Sequence, residues 1–335
     1  MSTSNFINLD APAPATVARG LFAATVAANE SICTDHFRLT LRLKNFPASK
    51  PGQFVQLACL QIPAENTAAG YAVHEWNCHA PPPPIFDAYT RGPLPWLRRP
   101  FSIAARRDFP DNFTDIDIIH RVVGKGTKQL AAARPGEQLS LIGPLGNSFW
   151  APDDMGVALL VGGGVGVPPM LYLAQDLANK KCPGVAFIGA QRRALVPLRW
   201  ADGLPEPSPT GAPILNAPEF AQCGIPTVIC TDDGSWGLHG LVTHGLSLFI
   251  DNMTAEQRTA CIIFCCGPTP MMRAVALVAE KFTVRCQLSL EQPMACGMGT
   301  CQSCVVKVRP PDAEAWQYKL TCTDGPVFDA RRLVW

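Results

Sequence analysis

A chain of 335 residues is long enough for two or three domains of ordinary size. Lys and Arg (28) balance Asp and Glu (27) to a formal net charge of +1, with no long basic block, which argues against a nucleic-acid partner. Fourteen cysteines in a chain of this length, most of them alone in apolar runs, argue against a disulfide scaffold.

The first residues, MSTSNFINLDAPAP, lack a positive n-region followed by an apolar core and do not read as a signal peptide; the expected location is the cytoplasm. Residues 14–150 read as β. HFRLTLRL (36–43) alternates apolar and polar residues, and GQFVQLACL (52–60), FSIAA (101–105), DIDIIHRVV (115–123) and EQLSLIG (137–143) follow between Pro- and Gly-containing turns. This spacing predicts a small antiparallel β-barrel. Residues 62–97, with Pro81 to Pro84, Trp76, Tyr89 and Trp96, read as an insertion on its surface. His74, Cys78 and His79 lie in that irregular stretch and do not make a metal site.

Residues 153–285 alternate strand and helix. VALLV (157–161), GVAFIGA (184–190), PTVICT (226–231) and CIIFCCG (261–267) read as buried strands; MLYLAQDLANK (170–180) and PMMRAVALVAEKF (270–282) read as helices. The pattern predicts an α/β doubly wound parallel sheet, with a second insertion at about 198–222. Met155 to Ala174 is uncharged and long enough to span a bilayer, but its five glycines and the Pro168-Pro169 pair would break a helix there. A strand, a Gly-rich turn and a helix start explain it better. Cys59, Cys230, Cys261 and Cys265 fall in strands, as buried free thiols of a reducing compartment would.

Residues 286–335 hold Cys296, Cys301, Cys304 and Cys322, spaced C-x4-C-x2-C and then seventeen residues to the fourth. This is the plant-type arrangement for a [2Fe–2S] cluster. Gly297 and Gly299 give the loop the freedom to turn its N–H groups toward inorganic sulfide. The alternative is zinc or disulfides, but zinc sites usually pair two C-x2-C halves, which the five-residue step fits badly.

Further motifs lie on strand ends. Gly162-Gly163-Gly164-Val165-Gly166 follows a buried strand and precedes a helix, a place where phosphate meets backbone N–H groups, although Val167 stands where G-x-G-x-x-G has its last glycine. Cys266-Gly267-Pro268 ends a later strand, and the two ends would together form a dinucleotide crevice. In the barrel, Arg99-Pro100-Phe101-Ser102 offers a guanidinium and a hydroxyl to phosphate. Gly126-Thr127, after Arg121, offers further donors. Arg192 and Arg193, after the second α/β strand, would meet the 2′-phosphate of NADP or face water.

Taken in order, RPFS, GKGT, GPLGNSF, GGGVGVPP and CGPTPMM resemble the ferredoxin-reductase superfamily, in which a β-barrel binds FAD and an α/β domain binds NAD(P). LEQPMACGMGTCQSCVVKV and YKLTCTDGPVFDA look like the electron-transfer subunits of bacterial NAD-dependent dihydroorotate dehydrogenases. The resemblance implies three units: an FAD-binding barrel (14–150), an NAD-binding α/β domain (153–285) and a small [2Fe–2S] module (286–335). It implies that Arg99, Pro100, Phe101, Ser102, Ile119, His120, Arg121, Gly126 and Thr127 contact FAD. Gly162, Gly163, Gly164, Gly166, Cys266 and Gly267 would line the NAD site, and the four cysteines would ligate the cluster. It further implies an FMN-containing dihydroorotate dehydrogenase catalytic subunit as partner, two copies of each, with electrons passing from that partner through the cluster to FAD and NAD⁺. No acid–base or nucleophile motif stands outside the cofactor elements. His120 departs from the Tyr common in the family.

Two other readings follow from the same residues. Related subunits of hydrogenases and bifurcating ferredoxin:NADP⁺ oxidoreductases share the fold, but the bifurcating type has an Asp for one cluster Cys and a Glu in DGPEFD. Here all four thiols are present and Val327 replaces that Glu. A non-catalytic redox sensor or scaffold is the other.

Overall fold

The computed structural model describes residues 19–61, 97–152, 154–200, 203–311 and 313–335. The proline-rich insertion, with His74, Cys78 and His79, lies outside these residues apart from Leu97.

Six strands, β1 (Gly20–Cys33), β2 (His36–Lys44), β3 (Phe54–Gln61), β4 (Arg99–Phe109), β5 (Phe113–Arg121) and β6 (Gln138–Leu145), close an antiparallel barrel in the order β1-β2-β5-β4-β3-β6. Alternate residues fill it: Leu39, Leu41 and Leu43 from β2, Val55 and Leu57 from β3, Ile116 and Ile118 from β5, Leu139 and Leu141 from β6. β1 was not anticipated, because its inward positions are mostly small (Ala24, Val26) and its apolar alternation is faint. α1 (Lys125–Ala131) plugs one end with Leu130, and the Asn29 side-chain amide donates to the carbonyls of Leu130 (2.8 Å) and Ala133 (2.9 Å) at its end.

A seven-stranded sheet follows: β7 (Val157–Gly163), β8 (Gly184–Ala190), β9 (Thr227–Thr231), β10 (Leu238–His239), β11 (Cys261–Cys266), β12 (Arg285–Ser289) and β15 (Val327–Asp329), ordered β10-β9-β8-β7-β11-β12-β15. It is parallel except for β15, which runs antiparallel to β12. α2 (Val167–Asn179) packs on one face; α4 (Val242–Asp251) and α6 (Thr269–Phe282) pack on the other. α5 (Ala255–Ala260) is short and holds no buried residue. Strand order turns back between β7 and β11, so a crevice opens at their carboxyl ends. The uncharged stretch 155–174 is β7, a Gly turn and the start of α2. Among the described residues no helix is long and apolar enough to cross a membrane.

Within the stretch 198–222, residues 216–220 are drawn into the molecule. Here α3 (Pro218–Ala221) buries Phe220, Ala217 just before it is equally buried, and Ile214 bridges to Thr227. Glu219 reaches the barrel, where it accepts from the buried Arg38 guanidinium at 2.8 Å. Arg38 also lies 3.7 Å from Asp117, which accepts from Arg107 at 2.6 Å.

The tail adds a three-stranded sheet, β14 (Gln317–Leu320), β13 (Val305–Val308) and β16 (Leu333–Val334). It is not a separate appendage. β12 straddles position 286 yet belongs to the parallel sheet, and β15 extends that sheet from beyond the last cysteine. The two pair directly, Gln287 to Asp329, Leu288 to Phe328 and Ser289 to Val327, a long-range contact that sequence spacing alone does not show. Asn147 clasps the tail to the end of the barrel: its Nδ2 donates to the carbonyls of Asp324 (3.0 Å) and Val327 (2.9 Å), and its Oδ1 accepts from Val327 N–H (2.9 Å).

Candidate functional site

A cavity of about 840 Å³ lies between barrel, parallel sheet and tail. The barrel contributes Arg99, Pro100, Phe101 and Ser102 from β4, Ile119, His120 and Arg121 from β5, and Gly126 and Thr127 from α1. The sheet contributes Gly163, Gly164, Cys266 and Ser289 at the carboxyl ends of β7, β11 and β12; the tail contributes Glu291, Met294 and Pro326. Twelve of the fifteen residues expected to touch FAD or NAD therefore share one space. Gly162, Gly166 and Gly267 do not line it.

Those three glycines shape the wall instead. A Cβ on Gly166 would collide with the Cys266 carbonyl, so its absence lets the β7–α2 turn lie against the end of β11. A Cβ on Gly162 would press on Val167 at 3.1 Å, and one on Gly267 would run into Met271. Gly164 is different: its φ is +53°, it faces open space, and α2 begins three residues later. α2 carries Pro168 and Pro169 in its first turn, where a missing N–H removes no helical hydrogen bond.

On the barrel side Arg99 donates to the Leu97 carbonyl at 2.8 Å. The Thr127 hydroxyl is committed locally, accepting from Val123 N–H (2.9 Å) and Gly124 N–H (3.2 Å). The GKGT stretch is thus the start of α1 rather than an open turn. His120 is buried, stacked on Phe37 at 5.9 Å and edge-on to Phe101 at 6.0 Å, and neither ring nitrogen has a partner among the described residues. Burial, with His36 beside it, pushes its pKa down to about 4, so the ring is neutral near pH 7.

His36 and Glu291 also line the cavity, and sequence reasoning missed both. His36 Nδ1 donates to the Thr34 carbonyl at 2.7 Å. Glu291 is solvent-exposed at the cavity rim. Neither carried a spacing signal: His36 begins a strand, and Glu291 is a single acidic residue ahead of the cysteine run.

The four thiols sit where the tail meets the barrel. Cys304 and Cys322 are buried with Phe54 and Leu145, whereas Cys296 is half-buried and Cys301 exposed. The loop turns its backbone donors inward: Met298 N–H and Cys301 N–H point at Cys296 Sγ, 3.3 and 3.4 Å away. Gly297 and Gly299, with φ of +72° and +88°, permit this turn. Burial and the neighbouring Cys304 push the Cys322 thiol up to about 12, while the Ser303 side chain lowers Cys301 to about 6. No three His, Cys, Asp or Glu side chains among the described residues converge on a single-ion site. A two-iron cluster needs a wider cradle than one tetrahedral zinc, with two thiolates to each iron. All-thiol donors, inward N–H groups and glycines at left-handed positions fit such a group. The other cysteines expected in strands (Cys59, Cys230, Cys261 and Cys265) are buried free thiols, and burial raises their pKa values.

A six-stranded barrel, a parallel sheet with a switch-point crevice and a tail with four thiols define the class: a ferredoxin-reductase-like protein with a C-terminal iron–sulfur module. Residues 291–334 match the family described as the iron–sulfur cluster binding domain of dihydroorotate dehydrogenase B. The chain is 34% identical over 260 residues to the dihydroorotate dehydrogenase B (NAD(+)) electron transfer subunit of Caldanaerobacter subterraneus subsp. tengcongensis, covering 78% of this chain and 90% of that one. It is 40% identical over 244 residues to the subunit of the same name from Geobacillus kaustophilus, covering 72% and 81%. The solved structure of an NADH-dependent reduced ferredoxin-NADP oxidoreductase shares the fold, with a TM-score of 0.65 at 23% identity over 93% of this chain and 90% of that one. The chain belongs to the family of dihydroorotate dehydrogenase B electron transfer subunits.

Proposed function

We propose that this chain carries electrons between an FMN-containing dihydroorotate dehydrogenase subunit and NAD, holding FAD in the barrel half of the cavity and a [2Fe–2S] cluster on Cys296, Cys301, Cys304 and Cys322. When bound, FAD exchanges hydride with nicotinamide and single electrons with an iron–sulfur cluster, so it belongs between the two. The observation that carries the reading is the shared wall: Phe54 and Met294 line the cavity and also pack against Cys304 and Cys322.

The chain's own residues then place, orient and exclude water. Arg99 and Ser102 present a cation and a hydroxyl to a diphosphate, and Phe101, Ile119 and neutral His120 give the ring system an apolar seat. Gly163, Gly164 and Cys266 bound the nicotinamide side, at the starts of α2 and α6. The 14–150, 153–285 and 286–335 units thus divide FAD, NAD and cluster among them, although β12 and β15 join the last two. NAD is favoured over NADP. Arg193 is engaged with the Trp236 ring (4.9 Å) and Glu206 (3.7 Å), and Asp232, beside Asp233, lines the cavity where a 2′-phosphate would be repelled.

Dihydroorotate chemistry belongs to the partner subunit, in an assembly with two copies of each. Met298 and Cys301 are exposed beside the buried thiols, as the contact face for that partner requires. With the FMN subunit added, dihydroorotate should reduce NAD⁺; with either subunit alone it should not. Reduction of NAD⁺ at an unchanged rate without this chain, or none with both present, would overturn the proposal.

A further inference from the structure

Gln56, in the middle of β3, is completely buried, and neither Nε2 nor Oε1 has a hydrogen-bond partner among the described residues. A buried amide left unpaired is costly, so a native one calls for a missing partner. Along the strand, Val55 and Leu57 point into the barrel interior, whereas Phe54 and Gln56 share the opposite face. Phe54 on that face packs against Cys304 and Cys322. Across the sheet Gln56 stands opposite Pro100 and Ile142, whose side chains offer no polar atom.

The amide is pressed against the cysteine loop. A Cβ built on Gly297 would stand 2.6 Å from Gln56 Cγ and 2.7 Å from its Nε2. Only a glycine next to Cys296 admits the side chain at that depth. A second orphan lies in the same module: the Thr321 hydroxyl, beside Cys322, is fully buried and also unpaired. Two unpaired polar side chains thus lie at the cysteine module, one against Gly297 and one next to Cys322 in sequence.

We propose that Gln56 is a positioning residue for the iron–sulfur cluster, its side-chain N–H donating to a sulfur of the cluster held by the Cys296 loop and raising its reduction potential. This rests on the reading that the four thiolates hold that cluster. A reduced cluster carries more negative charge on its sulfurs, so a donor there stabilises the reduced form. Because the amide comes from the barrel and the ligands from the tail, full potential is reached only when the tail is docked.

The test is an EPR-monitored redox titration of the cluster- and flavin-loaded protein against Gln56→Met, which keeps the length and removes the donor. The cluster's one-electron equilibrium with a reference dye should shift about tenfold toward the oxidised form, about 59 mV more negative, with the flavin midpoint unchanged. Gln56→Glu should move the cluster the same way. A cluster equilibrium within twofold of the parent, or a larger shift at the flavin than at the cluster, overturns the proposal. A parent protein that binds no iron removes the underlying reading instead. If Gln56→Met does not retain iron, melting of the two apo-proteins decides. An unpaired amide replaced by a thioether leaves the apo chain at least as stable, and a lower melting temperature makes Gln56 a packing residue and overturns the assignment.

Discussion

The cavity walls and the cysteine loop are built on opposite principles. The walls belong to large cores: the barrel interior on one side, and on the other a sheet covered by α2 on one face and α4 and α6 on the other. The loop has only a small buried cluster of Phe54, Leu145, Cys304 and Cys322, and much of that is borrowed from the barrel. The walls hold their shape through packing, whereas the loop depends on its ligand and on docking. Metal binding in such a module is folding free energy, so stripping iron should loosen the cysteine loop, residues 294–304, and leave barrel and parallel sheet intact.

The largest effect should come at the loop. Cys304→Ser should reduce electron transfer to the FMN partner by more than about a hundredfold, since a ligating thiolate is lost. NADH-driven reduction of a dye through the flavin should persist. Parallel assays with partner and dye separate the two, and equal loss of both would place the flavin downstream of the cluster on every route.

The walls should break elsewhere. Arg38→Met leaves Glu219 buried without its cation and should cost about 3–5 kcal/mol, read by denaturant unfolding. Adding Glu219→Leu should restore much of it. A single variant as stable as the parent would mean that α3, through Glu219, does not strap sheet to barrel.

The joint between the two regions should respond less strongly. Gly146 has φ +75°, and a Cβ there would lie 2.6 Å from Pro326 Cδ and 2.9 Å from the Gly325 carbonyl. Gly146→Ala should cost about 1–3 kcal/mol and lower iron content more than flavin content. Equal loss of the two would show that the clasp serves the whole molecule rather than the tail.

A pH dependence is also expected in the barrel wall, confined to acid conditions. His120 is held neutral with a folded pKa of about 4, against 6.5 for a free imidazole. The unfolded chain binds the extra proton between those values, so stability is complete above pH 6.5 and falls as pH drops toward 4, by up to about 3 kcal/mol. His120→Phe should flatten that part of the stability profile in urea titrations at several pH values. An unchanged slope would assign it to His36 or to carboxylates.

The same contrast explains what was legible in the sequence. The cysteine spacing pointed to an iron–sulfur module, and the family match over residues 291–334 supports that coarse reading. Barrel strands such as β2 and the buried strands β7 and β11 showed through alternation and apolar runs. β1 did not, with its small inward residues. Gln56, His36, Glu291 and Asn147 were silent because their roles come from residues far away in sequence: Gln56 meets Gly297, and Asn147 meets Val327. The glycines at 162, 166 and 267 were visible as a pattern, but their packing against Val167, Cys266 and Met271 needed coordinates.

The most direct measurement is a count of iron, acid-labile sulfide and flavin on anaerobically prepared protein, with an EPR spectrum after NADH addition. The account predicts two irons and two sulfides to each FAD, and a paramagnetic reduced cluster formed by NADH through the flavin. Zinc in place of iron, or iron that NADH cannot reduce while the flavin bleaches, would contradict it.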